Sequence, residues 1–113
     1  MEKVTQYKEI VRKVLVEVAR AGRKAEDPIQ ASVAADMKNG HFLAFFDGWR
    51  GTKRSYGIFI HVDVLPTGKV YLRHDGTDVI IAHKLEAAGI PKSDIVLAFH
   101  HPIQRPDTEY ALA

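Results

Sequence analysis

Histidine 61, aspartate 63 and arginine 73 are the residues of this chain best suited to chemistry. In an extended segment His61-x-Asp63 sets an imidazole and a carboxylate on one side, because strand side chains repeat every two residues. With His41 as a third ligand, the pair would make a metal-dependent hydrolytic site. Arg73 opposes that use, since a fixed cation beside the ligands repels a second one. The reading adopted is a structural network, an Asp63–Arg73 ion pair with His61 hydrogen-bonded beside it. His100 and His101 are adjacent, so an extended chain points them apart, and His74 and His83 stand alone. The serines at 32, 55 and 93 lack a histidine and an acid in a triad pattern, and there is no HExxH, GxSxG or glycine-rich phosphate loop. Asp75-Gly76-Thr77-Asp78 is explained by a turn followed by a helix N-cap at Thr77. No catalytic residue, metal site or cofactor is expected.

Two basic clusters remain, Arg20-Arg23-Lys24 and Arg50-Lys53-Arg54. The second falls at the tip of an expected hairpin, where, joined by Arg105, it could reach the phosphates of DNA. Sixteen Lys and Arg against fourteen Asp and Glu leave only +2, which excludes a domain that grips DNA mainly by charge. The 113 residues, 46% hydrophobic and 27% charged, suit one folded domain spanning 1–113. The absence of cysteine excludes disulfides, thiolate metal sites and cysteine nucleophiles, and fits a reducing compartment. The charged start MEKVTQYKEIVRK is no signal peptide, and no apolar run approaches the roughly 18 residues of a membrane span. A cytoplasmic protein without membrane contact is expected.

These polar groups must be positioned by an α+β fold. Val4, Tyr7, Val11, Val14, Leu15 and Val18 recur every three or four residues, which predicts an amphipathic helix over residues 3–21 with Gly22 as its cap. After Pro28 the period becomes two. Asn39-Gly40 predicts a two-residue hairpin turn with Lys38 facing His41. A connection over 50–54 sets Trp49 opposite Ser55 and Ala44 opposite Ile60. A third around Pro66-Thr67-Gly68 sets Val62 opposite Leu72 and Asp63 opposite Tyr71. The result is a four-stranded antiparallel meander. A second helix follows on the same sheet face, with Val79, Ile81, Ala82, Leu85 and Ala88 inward and Gly89 as its cap. Residues 92–99 are expected as a short strand or extended segment, although Ser93-Asp94 would also begin a helical turn, and the tail from Pro102 is expected to be irregular.

The three registers agree on one core face, which includes Val33, Phe42, Phe46, Tyr56, Ile58, Ile60 and Leu72. The opposite face then carries Leu43, Phe45, Trp49, Phe59 and Tyr71, too apolar for water alone. Either the segment after residue 90 covers it, or it is a protein–protein interface, with homodimerisation one use of it.

Arg73-His74-Asp75-Gly76-Thr77-Asp78, then Gly89-Ile90-Pro91-Lys92-Ser93-Asp94-Ile95-Val96-Leu97, then Pro102, Arg105 and Thr108-Glu109-Tyr110-Ala111 resemble the fdxN element excision controlling factor family, the XisI-like proteins. Asp36, His41-Phe42, Gly48-Trp49, Tyr56-Gly57 and His61-Val62-Asp63 follow its order upstream, so the resemblance covers nearly the whole chain. Phe42 departs from the family's usual tyrosine, and Leu65-Pro66-Thr67 from its more polar turn. The resemblance implies a cyanobacterial-type cytoplasmic accessory protein without an established active site. It also implies a role beside a companion, XisH, of endonuclease-like fold, in developmentally programmed excision of a DNA element by a site-specific recombinase.

Overall fold

The computed structural model describes residues 2–21 and 23–113. Helix α1 runs Glu2–Arg20. Its valine-rich stripe has modest intrinsic helix propensity, so burial holds it in place. Tyr7, Val11, Val14, Leu15 and Ala19 are buried, while Val4, Ile10 and Val18 pack at the margin. The cap expected at Gly22 lies outside the described residues.

Strands β1 (Ile29–Asp36), β2 (His41–Arg50), β3 (Lys53–Val64) and β4 (Val70–Asp75) form the antiparallel meander. The C-terminal segment corrects the expected four-stranded sheet. Ile95–Leu97 pairs parallel to β4 as β5, making a mixed sheet in the order β1-β2-β3-β4-β5. Helix α2 (Ile81–Ala87) is the crossover between those parallel strands, as a parallel pair requires. The helical turn weighed at Ser93-Asp94 also exists, as a 3-10 turn over Lys92–Asp94. The tail is a 3-10 segment, Pro102–Asp107, rather than irregular chain. Both α-helices cover one sheet face, with Ile81 and Leu85 of α2 joining Val11 and Leu15 of α1 over Phe42, Ile60, Val62 and Leu72.

Three local departures decide which side chain faces where. The β1–β2 connection is a four-residue turn, with Asp36 rather than Lys38 opposite His41. The Asp36 carboxylate accepts from the backbone N–H of Lys38 and Asn39, at 3.1 and 3.0 Å, and from Asn39 Nδ2 at 2.9 Å. That side-chain turn displaces the two-residue one. Gly40 closes it at φ +78°, where a Cβ would strike the Val64 carbonyl oxygen at 2.2 Å. The register moves by two, so no side chain changes face.

The second departure is a bulge in β3. Ala44 pairs with Ile60 as expected, but Phe45 pairs with Ile58, leaving Phe59 as the extra residue. Beyond it the β3 pattern inverts. Tyr56 and Ile58, expected in the core, are 72% and 51% exposed. Phe59, expected on the outer face, turns inward and stacks on Phe46 at 4.1 Å between ring centroids. Gly57, the cross-strand partner of Phe46, lies two residues from the extra residue, and a glycine inside a strand commonly marks such a bulge.

A third shift at the end of β4 sets His74, not Arg73, opposite His61, and brings Asp75 to the inner side opposite Ile60. There Asp75, rather than Thr77, caps the second helix. Its carboxylate accepts from Ile81 N–H at 2.8 Å and from both Thr77 N–H and Oγ1, at 2.9 and 2.6 Å. Helix α2 begins after Ile80, a β-branched residue held at φ +55°. Ile81, Ala82 and Leu85 are buried, but Val79 and Ala88, expected inward, are exposed.

Candidate functional site: the outer face of the sheet

The face without helices has a polar end and an apolar end. At the polar end Asp63 is only 5% exposed. Its Oδ2 accepts from Arg73 Nε at 2.8 Å, and its Oδ1 lies 2.9 Å from His41 Nδ1 and 3.0 Å from His61 Nε2. Burial pushes the Asp63 carboxyl up, but the bonds from His41, Arg73 and His61 outweigh it and hold the group below the ordinary 3.8. An ionised carboxylate can only accept, so both imidazoles donate to it, which fixes the N–H at His41 Nδ1 and at His61 Nε2. Arg73 also lies over the Tyr71 ring, 4.9 Å from its centroid. The structure thus brings His61, Asp63 and Arg73 together, with His41 as a fourth member. Among the described residues, no group of three or more metal-ligating side chains is arranged to hold an ion. A carboxylate committed to two imidazoles and a guanidinium acts as an anchor for β2, β3 and β4.

The apolar end lies toward the β2–β3 hairpin tip. Cross-strand pairs there are Phe45 with Ile58, Asp47 with Tyr56 and Trp49 with Arg54. Leu43 and Phe45 are half-buried, whereas Trp49, at 55%, and its neighbours Tyr56 and Ile58 stand in solvent. Arg54 bonds Asp47 at 2.6 Å and lies 5.5 Å from the Trp49 ring centroid and 5.0 Å from that of Tyr56. Of the interface residues expected from sequence, Leu43, Phe45, Trp49 and Tyr71 do face outward. Phe59 does not, and Tyr56 and Ile58 take its place. The glycine at 57 was the sequence signal for the bulge that exchanges them.

The C-terminal segment does not cover this end. β5 lies beyond β4, on the far side of the sheet from β1 and β2. The tail is fastened to β5 by Ala111 N–H on the Ile95 carbonyl, to α2 by Tyr110 on Glu86, and to the 3-10 turn before β5 by Lys92 on Glu109.

The residues considered for DNA do not form one patch. Arg50 pairs with Asp27 at 3.4 Å, and Arg54 is committed to Asp47 and the aromatic rings. Lys53 has no ion pair among the described residues. Arg105, expected to join the tip, is instead pinned in the tail, where it donates to the carbonyls of His100 and Leu112, each at 3.2 Å.

One buried group escaped the sequence reading. Asp94, 8% exposed, accepts from Tyr7 Oη at 2.5 Å and pairs with Lys3 at 3.0 Å and Lys69 at 3.6 Å. This network ties α1 to the turn before β5. No periodicity signals a contact between residues 87 positions apart.

Fold and face together define a small α+β protein with helices on one side of a mixed sheet and, on the other, a surface of aromatic, aliphatic and arginine side chains. The XisI protein family matches residues 1–112, and the chain belongs to that family. It is similar to the crystal structure of fdxN element excision controlling factor XisI from Anabaena variabilis, with 30% identity over 98% of this chain and 99% of that one, at a TM-score of 0.81. A XisI-like protein from the same organism is 32% identical over 97% of this chain and 99% of its own, at a TM-score of 0.86. No curated protein matches the chain. Among the described residues, no helix is long and apolar enough to cross a membrane.

Proposed function

We propose that this protein is a non-enzymatic accessory factor for the controlled excision of a DNA element by a site-specific recombinase. It acts through protein contacts made by the outer sheet face, with an XisH-like companion or with a second copy of itself. Full-length family membership and the likeness to an excision controlling factor support the first part. The single observation that supports the second is the uncovered group of Trp49, Tyr56 and Ile58 around Arg54. Tryptophan, tyrosine and arginine are the residues that carry most binding energy at protein interfaces, and contiguous exposed apolar patches mark such sites.

Light scattering on the eluting protein, alone and mixed with the companion, tests this reading. The expected result is an association that Ile58→Glu abolishes without loss of the folded circular dichroism spectrum. Failure to detect any association sensitive to Ile58→Glu would overturn it.

A further inference from the structure

A sheet of five strands has two edges, and this chain treats them differently. At β5 the tail takes the edge, with Val96 bridged to Ala111 and the Ile95 carbonyl bonded at 2.8 Å. At β1 only the ends are secured. Asp27 Oδ1 accepts from Ile29 N–H, Arg23 donates to the Ile29 carbonyl, and the Asp36 carbonyl accepts from Gly40 N–H. Between them, among the described residues, the backbone of residues 30–35 has hydrogen-bond partners only in β2.

Natural sheets defend such an edge with lysine, proline, a bulge or a covering element. Gln30-Ala31-Ser32-Val33-Ala34-Ala35 has no charge and no proline, and its pairing with β2 runs without a register shift. Its small side chains leave the backbone open to another strand. Beside it on the helix side lies a groove of about 280 Å3 between Val16, Ala19 and Arg20 of α1 and Ala31, Ser32 and Val33.

We propose that the β1 edge binds β1 of a second copy, antiparallel about a two-fold axis at Val33, so that one sheet runs through both molecules. The unmet groups are backbone, so the occupant must be an extended segment. It must also be small and uncharged, and β1 itself meets that description. Facing residues share a side in this register. Val33 meets Val33 and Ala31 meets Ala35 on the helix side, while Ser32 meets Ala34 and Gln30 meets Asp36 on the outer side. The one acidic residue of the strand therefore faces a neutral amide, and no like charges meet within the two paired strands. The pairing also sets the two α1–β1 grooves side by side, giving Val16 of each copy an apolar neighbour. Trp49, Tyr56 and Ile58 remain uncovered, so the proposal stands apart from whatever occupies the outer face.

The test uses the full chain. Light scattering should give twice the 12.7 kDa chain mass. Ser32→Lys with Ala34→Lys places like charges opposite one another at two exposed positions, which should weaken the dimer about 100-fold while circular dichroism stays unchanged. Ile58→Glu should leave the dimer intact. In this cysteine-free chain Val33→Cys should oxidise to a covalent dimer, since facing residues lie roughly 4.5–5.5 Å apart at Cα, within disulfide reach. Thr52→Cys at the hairpin tip should not. If the lysine pair fails to fold, the Val33→Cys cross-link decides alone. A monomer up to roughly 100 μM would overturn the proposal. So would a dimer that survives the lysine pair and dissolves with Ile58→Glu, or a Val33→Cys protein that does not cross-link.

Discussion

The bulge at Phe59 makes a prediction opposite in sign to the simple two-residue alternation of β3. Regular alternation buries Ile58 and exposes Phe59; the structure exposes Ile58 by half and packs the Phe59 ring on Phe46 against the core. Truncating a fully buried phenylalanine to alanine costs about 3–5 kcal/mol. Phe59 is half-buried, so the cost of Phe59→Ala should be about 2 kcal/mol, including the stacking contact with Phe46. For a chain of this size that is a fall in Tm of roughly 8 °C. Ile58→Thr keeps β-branching at a position already open to water and should cost less than about 0.5 kcal/mol. Urea titrations of both variants beside the parent, with m-values compared, give the two numbers directly. Equal losses, or the larger loss at Ile58, would refute the bulge. They would also remove Ile58 and Tyr56 from the outer face on which the functional proposal stands.

Other consequences follow from the two buried carboxylates and the hairpin tip. Asp63 and Asp94 both titrate below 3.8 in the folded chain. Their pairing therefore stabilises the fold above the unfolded value and is lost as pH falls through the lower folded one. Asp63→Asn should lower stability at pH 7 by about 2 kcal/mol and flatten the acid limb of a stability–pH curve below about pH 4. Tyr7 behaves in the opposite sense. Burial and the bond to Asp94 push its hydroxyl from 10.0 up to about 12. Its contribution is complete below pH 10 and lost as pH rises toward the folded value, so Tyr7→Phe should flatten the alkaline limb and cost about 1 kcal/mol at pH 7. At the tip, two arginines are already paired with Asp27 and Asp47, so the protein should not be retained on duplex DNA at physiological salt. Retention that falls with salt and disappears with Arg50→Ala, Lys53→Ala and Arg54→Ala together would reverse that expectation.

How far the sequence disclosed this arrangement depended on parity. The β1–β2 turn was expected two residues shorter than it is, yet every side chain kept its face, because a shift by two preserves the alternation. The β3–β4 pairing of Val62 with Leu72 and Asp63 with Tyr71 stands as expected, which is why His61, Asp63 and Arg73 fall together. A bulge is a shift by one. It inverts what lies beyond it, and the two bulges fall where they alter the surface most: at Phe59, exchanging the outward aromatics, and at Arg73, sending Asp75 inward to cap α2. The tail's docking was illegible for a different reason. Three residues of strand at Ile95–Leu97 carry no resolvable period, and their place is set by partners far away in the chain, Val70 in β4 and Ala111 beyond them. The make-up of the outer face therefore rests on odd displacements of an even pattern. The core tolerates them, because β2 and β4 supply it with Phe42, Ala44, Val70 and Leu72 regardless; the outer face does not, because its composition changes from one aromatic ring to another with a single inserted residue.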